Sequence, residues 1–526
     1  MLFLLKKLIF IFALILILLN ISCICAEDNA TDVSNATQSV SSNIHTFNDL
    51  QQEISHADAK SRLYLEGTYK FEDASDAKLK SGVSINKDIT IIGRNGCTID
   101  GSGKARCLVI KEGCSVVLQN IKIKNGYTKT SGAGLKVAQN SKATIKNCQF
   151  TNNVADNCNG GAIEIKKSSS VKIYSTTFKN NKATRTSKLP WEKDKRGMGG
   201  AIKTDIGVDL KIYDSKFNSN SAYLSAILVL SQQGSSKKTS SIYAKNCVFT
   251  KNKSNHNGMI YSDEYGKATI MNCRFTKNNS PDGAGCIVLE SSRYALVKKC
   301  VFYKNRGCNG AAINVKIYKS KDTSNVKIDG CKFIKNSVRM YGGAICSVGG
   351  KVTVKNSVFS SNTAGIFGGA IYARLGNLYV SSSKFGKNKA KYAGAVCMAS
   401  KKGSLKHSSL TGNRAYYLYG AVYKVNHNKL SKCHIKSNKV LKYSKIYLYR
   451  SGKYIKVMVT NNTDGAVKKR VKLIFTGSKK VQTKWHKTSD KKYKKIRIPK
   501  SVKGKFKVTM KVSHARYFSK AIEINV

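Results

Sequence analysis

Carboxylates are the first residues to examine for chemistry in this chain, because polysaccharide cleavage and calcium binding both need clustered Asp and Glu side chains. The chain has only 29 Asp and Glu against 92 Lys and Arg, a formal charge of +63. The best candidates are Asp205, Asp209, Asp214, Asp263 and Glu264. They do not recur at one spacing, and no acid occurs from Cys331 through Thr463. The sequence therefore predicts that the protein is not an enzyme, with a polysaccharide lyase or hydrolase as the least favoured alternative.

Regularly spaced aromatic residues are the best candidates for binding. Tyr341, Phe367 and Tyr392 lie 26 and 25 residues apart, inside the acid-free stretch. The cations around them are Lys335, Arg339, Lys355, Arg374, Lys387, Lys389 and Lys391. Aromatic faces with unbalanced cations suit an anionic glycan. The competing interpretation is that the rings pack over a corner and the lysines keep the protein soluble.

Two other kinds of site are weaker. Trp191 lies in an inserted segment, where it could contact a ligand or plug a sheet face. Fourteen cysteines remain beyond Cys23 and Cys25, and none forms a Cys-x-x-Cys motif with a second such motif or a His pair. The sequence therefore predicts no metal and no cofactor.

Most of the chain is a repeat that must position these residues. A Phe followed three residues later by Asn returns most often every 25 to 28 residues, with Leu410 and Ile435 continuing the Phe position. Such a period indicates a solenoid. The Asn positions are Asn153, Asn181, Asn220, Asn252, Asn278, Asn305, Asn336, Asn362, Asn388, Asn413 and Asn438. Many are followed by Gly-Gly-Ala-Ile or a looser version, where glycine permits a sharp bend.

The pattern inside each unit predicts an all-β fold, a right-handed parallel β-helix of about twelve coils. Three short runs of alternating apolar residues indicate three strands per coil. Like residues would then stack about 4.8 Å apart, and the Asn side chains would form an amide ladder at one corner. Surface turn residues that tolerate left-handed φ are the alternative. Cysteines two before the Phe position, such as Cys247 and Cys273, are predicted as buried thiols.

The flanking segments are assigned by composition. Residues 1–26 predict a secretory signal peptide, with an uncleaved membrane anchor through residues 8–25 as the rival. Residues 27–43 form a flexible spacer, and residues 44–83 an N-terminal cap with a short helix and entry strands. The repeats occupy 84–449, and alternating runs over 453–526 predict a small β-sandwich.

The Phe-x-x-Asn and Gly-Gly-Ala-Ile landmarks between Thr46 and Tyr449 resemble the adhesin-like surface proteins of methanogenic archaea and the repeats of bacterial polymorphic outer-membrane proteins. The segment containing Gly504-Lys-Phe-Lys-Val-Thr-Met is similar to the immunoglobulin-like modules appended to the archaeal proteins. The resemblance implies a cell-surface adhesin-like protein.

Leader, repeats and charge together predict a secreted or cell-surface protein whose partner is an anionic polysaccharide or wall polymer. A structural component of the cell envelope is the alternative that the sequence leaves open. Nucleic acid is not an expected partner, because no nucleic-acid-binding motif occurs and a secretory leader places the chain outside the cell. Membrane contact is expected only through the leader.

Overall fold

The computed structural model describes residues 43–186, 196–223, 227–229, 239–262, 266–317, 324–425, 427–440, 446–459, 470–478, 480–484, 486–487, 494–512 and 522–525. The predicted leader and spacer, Trp191, Asp263 and Glu264 lie outside these residues. None of the helices in the described ranges is long and apolar enough to cross a membrane.

Each coil of the repeat adds one strand to each of four parallel sheets. Sheet A contains Ile44–Thr46, Thr68–Lys70, Thr98–Asp100, Lys122–Lys124, Gln149–Thr151, Thr177–Lys179, Lys216–Asn218, Val248–Thr250, Arg274–Thr276, Val301–Tyr303, Lys332–Ile334, Val358–Ser360, Lys384–Gly386, Ser409–Thr411 and His434–Lys436. Sheet B contains Arg62–Leu65, Ile89–Gly93, Ser115–Gln119, Lys142–Lys146, Ser170–Tyr174, Asp209–Tyr213, Ser241–Lys245, Lys267–Met271, Tyr294–Lys298, Asn325–Asp329, Lys351–Lys355, Asn377–Ser381, Lys402–Lys406 and Lys429–Ser431.

The other two sheets complete each coil. Sheet D follows sheet A along the chain and contains Tyr127–Thr128, Val154–Ala155, Lys182–Ala183, Ser221–Ala222, Lys253–Ser254, Asn279–Ala284, Arg306–Asn309, Ser337–Val338, Thr363–Ala364, Lys389–Tyr392, Arg414–Leu418 and Lys439–Val440. Sheet C follows the glycine corner and contains Val83–Ile85, Leu108–Ile110, Leu135–Val137, Ile163–Ile165, Ile202–Thr204, Ile227–Val229, Ile260–Ser262, Ile287–Glu290, Ile313–Lys316, Ile345–Val348, Ile371–Arg374, Val396–Ala399 and Val422–Lys424.

This architecture is the predicted all-β parallel solenoid, with two differences. Each coil has four strands rather than three, because a strand of often only two residues, such as Val154–Ala155, separates the Asn corner from the glycine corner. Two residues are too few to show an alternating pattern. The stack has about 13 turns rather than twelve, since parallel pairing already begins at Ile44–Thr46 and continues to Lys439–Val440.

The core is a stack of like side chains. Nine phenylalanine rings, from Phe150 to Phe385, are almost fully buried, with neighbouring ring centroids 4.6 to 5.1 Å apart. The predicted internal stacking of Phe333, Phe359 and Phe385 is confirmed. Parallel pairing in register produces this stack, because each residue lies directly above its counterpart in the next coil.

The N-terminal end carries an α-helix, Phe47–His56, and a short 3-10 helix, Ala77–Leu79. The α-helix begins with a capping box, in which the Asp49 backbone N–H donates to the Thr46 hydroxyl and the Thr46 N–H donates to the Asp49 carboxylate. Its face Phe47, Leu50 and Ile54 is buried. That the helix closes the end of the coil stack stays a prediction.

The described C-terminal strands pair antiparallel. Ile446–Ser451, Tyr454–Val459 and Lys494–Arg497 form one sheet. A second sheet consists of Arg470–Thr476, Lys480–Gln482, His486–Lys487, Lys505–Val512 and Ile522–Asn525. Apolar residues of both sheets, including Ile455 and Phe475, belong to one buried cluster. An immunoglobulin-like fold for this segment stays a prediction.

Candidate functional site

The eleven repeat asparagines lie in one row at the corner between sheets A and D. From Asn153 to Asn413, each side-chain Nδ2 donates to the Oδ1 of the next asparagine at 2.8 to 3.1 Å. These ten side chains are fully buried. The geometry is an amide ladder rather than a row of solvent-exposed turn residues.

Each internal amide of the ladder is fully satisfied. Asn362 is typical: its Nδ2 donates to Asn388 Oδ1 at 3.0 Å and to Phe333 O at 2.9 Å. Its Oδ1 accepts from both the backbone N and the Nδ2 of Asn336 at 3.0 Å. Because a primary amide has two donors and two acceptor positions, no hydrogen-bonding capacity is left for a ligand. The ladder therefore positions the coils.

A second ladder was missed by sequence reasoning. In the position two before the Phe, the Ser357 hydroxyl accepts from the backbone N–H of Cys331 at 3.2 Å and donates to Lys355 O at 2.7 Å. Cysteines take the same role, since the Cys247 N–H points at Cys273 Sγ at 3.4 Å. The sequence shows that this position prefers small residues. These residues also share a hydroxyl or thiol group, and this common group was the signal for the ladder.

Five of the six cysteines at this position are buried, as predicted, and Cys433 is half-buried. Cys247, Cys273, Cys300 and Cys331 are at most 1% exposed. Burial also raises the pKa of the Cys148 thiol to about 11. A thiol with so high a pKa is a poor nucleophile and a poor metal ligand at neutral pH.

The structure brings Tyr341, Phe367 and Tyr392 together as one aromatic row. Isolated parallel bridges join Tyr341 to Phe367 and Phe367 to Tyr392. Their ring centroids are 6.2 and 4.9 Å apart, with interplanar angles of 24° and 25°. All three side chains are half-buried, and Tyr372 packs 4.8 Å from Tyr341. Because the rings stack on one another, the ring surfaces that face along the row are covered by neighbouring rings.

The surface near the aromatic row is basic. Arg374 and Lys391 are exposed, and the Lys389 ammonium lies 4.7 Å from the Tyr416 ring centroid. One of the predicted unbalanced cations is balanced, since Arg339 forms an ion pair with Asp282 at 3.2 Å. Asp282 comes from a coil 57 residues earlier, so a scan for nearby acids in the sequence could not find it.

A group of four charged side chains on the outer face of sheet C is called the charge quartet: Glu164, Lys166, Lys203 and Asp205. Glu164 pairs in register with Lys203, and they are only 4% and 7% exposed. The Lys166 ammonium lies 2.7 Å from Asp205 Oδ2 and 3.6 Å from Glu164 Oε1. Lys203 also contacts both carboxylates. The buried carboxylate of Glu164 and the half-buried carboxylate of Asp205 thus share two ammonium groups.

Within the charge quartet, Asp205 and Lys166 stabilise each other's charged form. Burial alone would raise the pKa of Asp205, but Lys203 and Lys166 outweigh it and lower that pKa. Burial alone would likewise lower the pKa of Lys166. The hydrogen bond to Asp205 and the negative charges of Asp205 and Glu164 outweigh burial and raise that pKa. Asp205 is therefore negatively charged and Lys166 positively charged at neutral pH.

Sequence reasoning named Asp205 but missed its partners. Glu164 and Lys203 both follow the Ile of a Gly-x-Ala-Ile landmark, and Lys166 and Asp205 both lie three residues after it. Opposite charges at the same repeat positions in neighbouring coils were the missed signal. Asp209 and Asp214 do not join the quartet.

These two acids have other partners. Asp209 begins a strand of sheet B and lies 3.0 Å from the Lys211 ammonium. Asp214 occupies the corner after that strand and accepts from Asn246 Nδ2 at 2.9 Å.

One cavity of about 670 Å³ lies near the N-terminal end, beside Glu72, Asp100, Lys104 and Tyr127. Asp100 is 8% exposed and accepts hydrogen bonds from Ser102 N and Asn125 Nδ2. Within the described ranges, no group of three or more His, Cys, Asp or Glu is placed to hold a metal ion.

Comparisons with known proteins address the fold. The family model described as "Right handed beta helix region" matches residues 81–256 and 207–385. The chain is also 28% identical over 175 residues to the Metabotropic glutamate receptor-like protein R of Dictyostelium discoideum. That match covers 33% of this chain and only 10% of the receptor-like protein.

Solved structures with a similar chain course include two carbohydrate-active enzymes. The periplasmic alginate epimerase AlgG matches with a TM-score of 0.33 and 10% identity, over 74% of this chain and 83% of its own. The catalytic domain of a GH87 α-1,3-glucanase matches with a TM-score of 0.32 and 11% identity, over 77% of this chain and 71% of its own. At this level the likeness concerns the fold alone.

The prediction that the protein is not an enzyme does not hold, since solved structures of this fold include enzymes. A third match, with a TM-score of 0.27, is again a GH87 α-1,3-glucanase, from Streptomyces thermodiastaticus strain HF3-3. The prediction rested on sparse acids that lack a common repeat position. It overlooked the charge quartet, in which acids of adjacent coils do meet, and is withdrawn.

Proposed function

The chain belongs to the right-handed β-helix family, and from this premise we propose that it is a cell-surface protein that binds an anionic polysaccharide or wall polymer. The observation that carries the proposal is the aromatic row beside a basic surface. The resemblance of the repeat landmarks to adhesin-like surface proteins supports a surface location, as does the predicted leader. In this proposal the N-terminal helix protects the end of the stack, and the C-terminal strands form an appended immunoglobulin-like module.

The chemistry of the aromatic row defines the proposed contact. Its ring faces are occupied by neighbouring rings, so a glycan would meet ring edges and the hydroxyls of Tyr341 and Tyr392. A tyrosine hydroxyl both donates and accepts hydrogen bonds, which suits sugar hydroxyls and carboxylates. Lys391 and Arg374 would neutralise the acidic groups.

The triple change Tyr341→Ala, Phe367→Ala and Tyr392→Ala is expected to weaken binding of polygalacturonate about tenfold or more, because each aromatic contact contributes roughly 0.5 to 1.5 kcal/mol. Calorimetric titration measures the affinity. Binding should also weaken as ionic strength rises past about 0.15 M, where the screening length is about 8 Å. The triple change leaves every charge in place, so its salt dependence should match that of the unaltered protein.

The matched control is a second row of neighbouring tyrosines, on sheet B. Tyr174, Tyr213 and Tyr243 are also half-buried, with centroids 5.0 and 5.5 Å apart. Their replacement by alanine should leave the affinity unchanged. Equal losses in both variants would show that the aromatic row is not the binding site. If the protein bound no anionic polysaccharide even at low salt, the proposed binding would be refuted, and a structural role in the cell envelope would remain.

A second candidate function is a polysaccharide lyase or hydrolase, and the charge quartet favours it. Burying the charges of Glu164 and Lys203 opposes folding unless each is paired, so such a cluster is a candidate for chemistry as well as for structure. In the enzyme role, Glu164 or Asp205 would transfer a proton, and a lysine would hold an acidic group of the sugar.

If the charge quartet is an active site, purified protein releases new reducing ends from an acidic polysaccharide. The changes Glu164→Gln and Asp205→Asn should each lower that rate about 100-fold or more. Asp209 is an acid beside a lysine outside the quartet. The change Asp209→Asn serves as the control and should retain the rate. Undiminished release by both quartet variants would make the cluster structural.

A further inference from the structure

Four lysines occupy one position in four successive coils, here called the lysine column: Lys251, Lys277, Lys304 and Lys335. Each lies two residues after a core Phe and directly before a ladder Asn. All four are exposed. The column lies at the corner between sheets A and D, whereas the aromatic row precedes the glycine corner between sheets D and C.

Pairing between coils fixes the spacing of the column. The backbone N–H of Lys251 donates to Thr276 O at 3.1 Å, and those of Lys277 and Lys304 donate to the next coil at 3.0 Å. The adjoining Phe rings are 4.6, 4.9 and 5.1 Å apart. The four lysine Cα atoms therefore follow one another about 4.8 Å apart along the coil axis.

Lysine is an unfavourable residue at this position for two reasons. The backbone φ is +54° or +55° in all four, in the left-handed region that favours Gly and Asn. Asn152, Asn180 and Gly412 stand at the same position in other coils with similar φ. Like charges placed directly opposite one another also repel. The fold alone would be better served by asparagine, so the lysines need another explanation.

The surroundings add positive charge and no acid. The segments Val248–Ser254, Arg274–Ser280, Val301–Gly307 and Lys332–Val338, which carry the column, contain no Asp or Glu. Arg274 and Lys332 stand three residues before their column lysines, and all of these cations are exposed. No ion pair joins a column lysine to an acid in the described part of the chain.

We propose that the lysine column is a track that binds a linear anionic polysaccharide along the coil axis, one negatively charged sugar unit per coil. The inference rests on the proposed polysaccharide binding and assigns it a second, purely electrostatic surface. A linear polymer with one carboxylate or sulfate per sugar carries its charges at regular intervals along its length, as the column does. A DNA duplex instead carries one charge per about 1.7 Å of its axis, which the column cannot match.

The test removes the column without disturbing the backbone. A variant with Lys251→Asn, Lys277→Asn, Lys304→Asn and Lys335→Asn places in the column the residue found at this position in other coils. Its affinity for an oligogalacturonate of about eight units is expected to fall about 10- to 100-fold, because four ion pairs are lost. In the unaltered protein the affinity should rise steeply as the oligogalacturonate lengthens from two to about four sugar units. In the variant it should not.

The control variant removes the same charge elsewhere. Lys142, Lys267, Lys351 and Lys402 are exposed first residues of sheet B strands in non-adjacent coils. Asn325 and Asn377 occupy this position in the coils next to Lys351, so asparagine fits there. The four Lys→Asn changes should lower the affinity about threefold or less, through diffuse electrostatics alone.

Each outcome decides between the proposals. If the unaltered protein binds no acidic polysaccharide, polysaccharide binding and the track both fail. If it binds and the two variants lose affinity equally, only the track is refuted. A 20-nucleotide DNA could instead bind more tightly than the oligogalacturonate and lose affinity to the same extent in the column variant. That result would refute the sugar polymer as the occupant.

A second measurement on the unaltered protein does not depend on the variants. Bound oligogalacturonate should protect Lys277 and Lys304 from acetylation more than Lys267 and Lys351, as read by mass spectrometry. Equal protection would refute the track even if a variant failed to fold. The column variant should also melt at the same or a higher temperature, since asparagine relieves both strain and repulsion.

Discussion

Gly369→Ala is expected to lower the free energy of unfolding by about 3 kcal/mol, through overpacking against backbone atoms. A Cβ at this position would lie 2.1 Å from Gly394 O and 2.6 Å from Lys389 N. Neither atom belongs to a flexible side chain. Both are held by pairing between coils, so relief would require adjacent coils to separate. The shift of the denaturation midpoint measures the effect.

Gly386 in the same coil is the matched control. The nearest atom to a Cβ built there is Thr411 O at 4.0 Å, and the residue lies on the outer side of sheet A. Gly386→Ala should therefore be neutral or stabilise the protein by about 0.5 to 1 kcal/mol, since glycine in a strand loses more backbone entropy on folding. Equal midpoints for the two variants would mean that the coils do not approach closely at the glycine corner.

The glycine corner shows how far sequence reasoning reaches. The repeated Gly-Gly pair predicts a sharp bend, and the structure assigns its two glycines different roles. Gly368 has φ of +66°, whereas Gly369 is needed because the next coil passes within contact distance. Ala311 takes the second position in another coil, where a methyl group is accommodated. The sequence pattern alone does not show at which copies the second glycine is required.

Repeat positions predicted more of this protein than individual residues did. The Phe stack and the row of ladder asparagines follow from spacing alone, because parallel coils place equal positions above one another. Partners in different coils were harder to find. The Arg339–Asp282 ion pair crosses 57 residues, and the ring stacking in the aromatic row depends on side-chain orientation. Comparing charges at equal repeat positions would have revealed the charge quartet and the lysine column.

Asn362→Ala is the second change with a large expected effect. It removes the acceptor of the Asn336 backbone N–H, and Asn336 Nδ2, the Phe333 carbonyl and Asn388 Oδ1 each lose one hydrogen bond. An unsatisfied buried group costs about 1 to 3 kcal/mol, and the loss here should lie near the upper value because several groups lose partners at once. The denaturation midpoint should fall accordingly.

Asn325→Ala controls for the loss of an amide as such. Asn325 begins a sheet B strand, and its Oδ1 is buried with no hydrogen-bond partner among the residues that the structure describes. Removing an unpartnered polar atom should change the stability by no more than about 0.5 kcal/mol. If Asn362→Ala were equally mild, the ladder asparagines would be ordinary turn residues.

Asn362→Asp separates hydrogen bonding from size. The aspartate keeps the shape and can still accept, but as an anion it cannot donate to Phe333 O or to Asn388 Oδ1. Burial raises the pKa of such a carboxyl in the folded state above its unfolded value of about 3.9. The protonated form, which can donate one hydrogen bond, therefore persists to higher pH in the folded protein. The stability gap to the unaltered protein should be smallest at acidic pH and widen as pH rises through the folded-state pKa. A gap that does not change with pH would show that the side chain at position 362 is solvated, as it would be in an open turn.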